Sequence, residues 1–192
     1  MAVKNFSHFF QYGTGMIELL VTLIILSVGL IGLTNLQAKL QLAQIEVYQR
    51  SQALMLLHDM ASRININRNK AVDYVTANPL GVGMNCPTPL LNATQQQLDF
   101  AEWCNALQGA GEILGASKVG ALVGGRGCIE ALGSNSYLVT VAWQGMSPIS
   151  APPASISCGS GMYDGVGDSP CVVDRCRLTV NTVVEIGNLA GL

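Results

Sequence analysis

The hydrophobic pattern of the chain changes character three times. From Thr14 to Gln37 apolar residues run almost unbroken, and the 24 residues hold a single charge, Glu18. As a helix this stretch is roughly 36 Å long, enough to cross a bilayer. Beyond it the apolar positions space out: Leu36, Leu40, Val47, Leu54, Leu57, Ala61 and Ile64 recur at helical steps, with Gln37, Gln41, Gln44, Arg50 and His58 at more polar positions. Proline is absent before Pro79, so one helix is predicted from Thr14 to about Asn65, roughly 75–80 Å long. Late in the chain the period becomes two. Tyr137, Val139, Val141 and Trp143 alternate with Leu138, Thr140, Ala142 and Gln144, and Leu178, Val180, Thr182, Val184 and Ile186 share one face of a second run. Both runs predict strands.

Between these segments the punctuation is clear. Residues 65–92 read as loop, with Asn65, Asn67 and Asn69, then Asn78-Pro79-Leu80-Gly81 and Asn85-Cys86-Pro87-Thr88-Pro89. Thr94-Gln95-Gln96-Gln97 has the spacing of a capping box, so a short helix follows, with Leu98, Ala101, Cys104 and Leu107 on one face and Gly109 at its end. Cys128–Leu132 is a further strand, and Gly133-Ser134-Asn135-Ser136 a turn. Residues 145–173, rich in Gly, Pro and Ser, read as a long stapled loop. The fold class is α+β: a long N-terminal helix whose second half packs on a small antiparallel β-sheet with disulfide-stapled loops. Gly29 and Gly32 each lower local helix stability by roughly 1 kcal/mol against Ala; they fit either flexibility or close helix packing.

Composition sharpens this picture. The 192 residues suffice for one membrane helix and one modest globular domain. Only 11% are charged and the net charge is -2, so nucleic acid is not an expected partner. All six cysteines, Cys86, Cys104, Cys128, Cys158, Cys171 and Cys176, follow the hydrophobic segment, which points to an oxidising compartment beyond it. Lys4 before the segment fits a cytoplasmic start, although Lys39 just after it weakens the charge asymmetry. A secretory signal peptide is a poor fit: the apolar run is too long, no small-x-small site follows it, and a glutamate stands at its entrance.

Reactive chemistry is sparse. The cysteines lack a C-x2-C pair and no histidine lies beyond His58, so three disulfides are expected rather than zinc; six cysteines allow fifteen connectivities. His8 precedes the hydrophobic segment and His58 sits on the long helix, which leaves the head without histidine for nucleophilic catalysis. Gly120–Gly127 lacks the Gly-Lys-Ser/Thr that grips phosphate and reads as a loop. Asp164-Gly165-Val166-Gly167-Asp168 has oxygen ligands for calcium but not the EF-hand spacing, and a plain turn is the preferred reading. Arg63, Arg68 and Lys70 form a small basic cluster read as a solvated helix end rather than a DNA contact. No catalytic residue, metal or cofactor is expected.

The N-terminal residues resemble a type IV prepilin leader: a short polar segment ending in Gly13, then a hydrophobic helix with a glutamate near its start. The match is to minor type IV pilins of the PilV kind, carried by Met16-Ile17-Glu18 and Ser27-Val28-Gly29-Leu30. Val139-Thr140-Val141-Ala142-Trp143-Gln144-Gly145 resembles a strand of that family ending in Trp-Gln-Gly, and Cys176-Arg177 the opening of a final strand. The resemblance implies cleavage between Gly13 and Thr14, with Thr14 as mature position one and a possible site of N-methylation, and Glu18 at position five as the residue of subunit assembly. Thr14-Gly15 departs from the family's Phe or Met followed by Thr or Ser; a cut after Gly15 would start the chain at Met16 and leave Glu18 third.

The implied organisation is a leader (1–13), a transmembrane or fibre-core helix (14–36), the amphipathic half of that helix (37–65) and a pilin head (66–192). By the same resemblance the chain primes or joins pilus assembly, at the fibre tip, in support of adhesion and twitching motility. Its implied partners are other minor and major pilins, the prepilin peptidase, an inner-membrane assembly platform and a tip adhesin. It would be stored in the inner membrane with its C-terminal domain periplasmic, then move to the extracellular fibre. A type II secretion pseudopilin shares these features, and a single-pass anchored periplasmic binding or enzyme domain is the alternative from another class.

Overall fold

A computed structural model describes residues 14–187 apart from 116, 119 and 121. The chain divides into two compact units, Met1–Ala43 and Gln44–Leu192. Helix α1 spans Thr14–Ile66, ending one residue from the expected limit. In the second unit its buried face is Gln49, Ala53, Leu57, Met60 and Ile64. This is not the whole of the expected stripe. Leu57 and Ile64 are buried, but Leu36, Leu40, Val47 and Leu54 are exposed. At about 100° per residue those four lie roughly a third of a turn round the helix from the buried set. Two apolar stripes are present, and periodicity alone merged them.

The expected loop 65–92 contains two elements that the asparagines and prolines disguised. A 3-10 helix covers Arg68–Tyr74, with a kink at Lys70, and buries Ala71 and Tyr74. A two-residue strand β1, Leu80–Gly81, pairs antiparallel with the start of β4. Helix α2, Gln95–Leu107, begins at a true capping box: the Thr94 hydroxyl accepts from the Gln97 N–H, and the Gln97 side chain accepts from the Thr94 N–H. Gly109 follows the C-cap at φ +82°, a conformation that favours glycine. Ala101, Cys104 and Leu107 are buried as expected, but Leu98 is exposed, and Trp103 and Asp99 complete the inner face.

The main sheet has four strands in the order β1-β4-β5-β6, all neighbours antiparallel, with β4 at Arg126–Gly133, β5 at Ser136–Gln144 and β6 at Arg177–Glu185. The β4–β5 turn is tighter than expected. Gly133 and Ser136 already belong to the strands, and Asn135 takes the left-handed conformation at φ +64°. A separate two-stranded ribbon pairs β2, Ile113–Leu114, with β3, Ser117–Lys118. One face of the main sheet gives Ile129, Val139, Val141, Trp143, Val180 and Val184 to a single core with α1, Trp103 and Leu107. The Trp103 indole N–H donates to the Leu56 carbonyl of α1 at 2.9 Å, tying the two helices together.

The strand β5 is buried on both faces from Tyr137 to Trp143. Its second face is covered by the loop between β5 and β6, where Cys128, Ala142, Cys158 and Tyr163 form a smaller core. The disulfide Cys128–Cys158 fixes that cover to the sheet. Arg177 is buried beneath it: its guanidinium donates to the carbonyls of Ile156 and Cys158 and pairs with Asp174. A buried arginine is tolerated here because it satisfies loop carbonyls that a strand cannot reach.

The closest helix–sheet approach is at Gly127, where an added Cβ would lie 2.2 Å from the Trp103 ring. Gly127→Ala is expected to destabilise the head by about 1–3 kcal/mol through overpacking. Gly133→Ala, whose Cβ meets nothing within 4 Å, should change stability by less than about 0.5 kcal/mol. Denaturant titration of the two variants checks the contrast.

Candidate functional site

The described part of the first unit is dominated by exposed apolar side chains. Met16, Ile17, Leu19, Leu20, Leu23 and Ile24 are all exposed, and the pattern continues through Leu33. The helix is long and apolar enough to be a single membrane span. Its hydroxyl groups suit an apolar surrounding. Thr22 donates to the Leu19 carbonyl at 2.9 Å, Ser27 to Leu23 at 2.7 Å and Thr34 to Ile31 at 2.9 Å. Hydroxyls that bond back onto their own helix carry little polar cost into lipid or a packed helix bundle. Gly29 and Gly32 have open space where a Cβ would be, so among the described residues nothing packs closely against them.

Glu18 stands apart from this arrangement. Among the described residues it has no hydrogen-bond or ion-pair partner, and it is exposed one turn into α1. Thr14 opens the helix four residues earlier, so the two positions share a face one turn apart, about 6 Å along the axis. Gly13, the expected cleavage residue, lies outside the described residues. A carboxylate at mid-bilayer costs roughly 2.5–3.5 kcal/mol, and less near the interface.

The cysteines pair in chain order: Cys86–Cys104, Cys128–Cys158 and Cys171–Cys176. Cys86–Cys104 ties the segment after β1 to α2. Cys171–Cys176 closes a six-residue loop directly before β6. Sequence left the pairing open because connectivity depends on which strands become neighbours.

The basic cluster dissolves on inspection. Arg63 is not a solvated helix end: its guanidinium meets Asp59 at 2.9 Å, Asp99 at 2.9 Å and Glu102 at 2.6 Å. Burial alone would lower its pKa, but the three carboxylates outweigh it and hold the charge more firmly than usual. Asp99, buried, also accepts from the Tyr74 hydroxyl and from Gln95, and Asn67 donates to Tyr74. The network clamps the end of α1, the 3-10 helix and α2 together. It was missed because its members lie up to 39 residues apart in sequence.

In the segment read as a turn, Asp164 helps to close the loop. Asp164 accepts the Asp174 N–H at 2.7 Å, and Asp174 accepts from Ser160, Gly161 and Arg177. Burial would raise the Asp174 pKa, yet these donors together hold it below the usual carboxylate range. Among the described residues no group of His, Cys, Asp or Glu is arranged to hold a metal ion. The run read as a Gly-rich loop ends sooner than expected, because Arg126 and Gly127 already belong to β4. His58 is exposed on α1.

No protein-family model, curated protein or solved structure matches this chain. The site therefore stands on its own geometry: an apolar helical segment in which Thr22, Ser27 and Thr34 bond back onto their own helix, while its one acid, Glu18, has no partner among the described residues.

The Tyr74 hydroxyl is pushed up to about 12 from an ordinary 10, first by burial and then by its bond to Asp99. The folded state thus favours neutral tyrosine. The stability this confers is fully present below pH 10 and is lost as pH rises towards 12. Burial also raises Tyr163. Thermal melts across this alkaline range should show falling stability, with a shallower fall in Tyr74→Phe and a residual slope from Tyr163. An unchanged slope in the variant would contradict the assignment.

Proposed function

We propose that the chain is a minor subunit of a type IV pilus, of the PilV kind, that primes or joins fibre assembly at the tip. The observation that carries this reading is Glu18, a carboxylate without a partner among the described residues, on a helical segment otherwise suited to an apolar surrounding. Hydrolysis of the Gly13–Thr14 peptide bond by a membrane peptidase would leave a free amine on Thr14, open to N-methylation. That amine, or its counterpart on a neighbouring subunit, supplies the cation that Glu18 lacks. In a low-dielectric helix bundle such a pair offsets its desolvation when the geometry is good, and it fixes register because only one axial alignment brings the charges together.

Hydrophobic packing of the exposed helix surface drives association, and Glu18 selects the alignment. The membrane is then a store from which the subunit is drawn into the fibre, with its head in the periplasm beforehand and outside the cell afterwards. The three disulfides and the antiparallel sheet support the reading by giving a small head that withstands an oxidising exterior. The partners are other minor and major pilins, the peptidase, the assembly platform and a tip adhesin; adhesion and twitching motility are the consequences.

Glu18→Val, supplied as the only copy, is expected to insert in the membrane and accumulate but to leave the cells without normal pili. Intact mass of the wild-type mature protein should match a Thr14 start. Normal piliation by the variant refutes the role of Glu18, and a Met16 start refutes the register. Loss of protein secretion with intact pili on deletion would assign the chain to a type II secretion fibre instead.

A further inference from the structure

A groove of about 540 Å³ opens on the head beside β4, lined by Asn78, Pro79, Val82, Met84, Arg126 and Met162 among others. Its one charge is Arg126. Arg126 is half-buried and its guanidinium lies over the Tyr163 ring, with Cζ 4.8 Å from the ring centroid. One terminal nitrogen donates to the Gly124 carbonyl at 3.2 Å, a group that the Tyr163 hydroxyl also reaches at 2.8 Å. Arg126 makes no ion pair among the described residues, in contrast to Arg63 and Arg177. Its second terminal nitrogen lies beside Gly83, where an added Cβ would stand 3.4 Å away, and both residues line the groove.

A guanidinium carries five N–H donors in a planar fork, and aromatic stacking holds the plane still. Here the fork donates to the Gly124 carbonyl and lies against Tyr163, and Arg126 lines a groove whose other walls include thioether, proline and valine. A single fork suits one carboxylate; the groove offers no second cation of the kind that phosphate recognition gathers. The exposed Asn78 amide adds a donor and an acceptor of the kind a peptide unit can use. The groove adjoins a smaller one, sharing Asn78, Pro79 and Met162, that carries Glu130 at its far side. Arg126 and Glu130 are four residues apart on β4, so their side chains leave the same face about 13 Å from one another.

We propose that this groove binds the carboxyl end of a peptide chain with an apolar last residue. The terminal carboxylate lies on Arg126, the last side chain between Val82, Met84 and Met162, and the preceding peptide unit beside Asn78. The site is independent of whether the chain joins a fibre, because all of these residues belong to the head.

Titration calorimetry on the full chain in nanodiscs, with N-acetyl-alanyl-leucine as the probe, tests this. Saturable binding is expected, weakened about tenfold or more when the probe's carboxylate is replaced by the amide, and by a similar factor in Arg126→Gln. Met162→Trp, a change at a half-exposed position that narrows the groove, should abolish binding while the thermal melt and the three disulfides stay unchanged. Equal binding of acid and amide, or no saturation at about 10 mM probe, overturns the proposal. So does equally strong competition by inorganic phosphate, which would make the site a general anion site.

Discussion

The head depends on one contact, the burial of Ala53, Leu57, Met60 and Ile64 of α1 under the main sheet. Fully burying Leu, Met or Ile stabilises by roughly 1.5–3 kcal/mol each, a large share of what a small domain has to spare. The short strands of the main sheet cannot hide their inner face alone, and α1 shares the core that covers it. The two tryptophans finish the same seam. Trp103 fills the space over Gly127 and bonds to the α1 backbone, and Trp143 closes the core on β5. The Arg63 network then fixes the end of α1 by polar contacts that only one arrangement of the three helical segments can satisfy.

The outer face of the sheet is solved differently. No helix covers it; a loop does, and a loop has few backbone bonds of its own. Cys128–Cys158, the buried Arg177 and the Asp174 turn replace what a regular element would supply. Disulfides limit how far such a cover can open in the unfolded chain, and charge-assisted bonds satisfy its carbonyls. The arrangement leaves a seam between the cover and the segment around β1, and Arg126 looks into that seam.

Two features of α1 set the helix in the membrane-like unit apart from an ordinary core helix. Its apolar surface is exposed all round, and its hydroxyls are turned back onto its own carbonyls. Both fit a medium that offers no hydrogen bonds. Glu18, the one acid of that segment, has no hydrogen-bond or ion-pair partner among the described residues. The exposed stripe through Val47 and Leu54 has the same character on a smaller scale, because the head uses a different face of the helix.

Local signals were fully legible in the sequence. The unbroken apolar run with one acid, the end of α1, the Thr94 capping box and the alternation of β5 and β6 are each decided by residues within a turn or two of one another, so spacing alone reveals them. The Gly13, Thr14 and Glu18 spacing is equally local, and what those residues do rests on a resemblance the geometry leaves open. What needed the tertiary structure was every choice between equivalent partners. Sequence offered one merged apolar stripe on α1, fifteen cysteine pairings and an apparently solvated Arg63; only the packed head selects the 53–64 face, the three pairs in chain order and the carboxylates that hold the arginine. Those choices depend on distances between segments tens of residues apart, which no periodicity records.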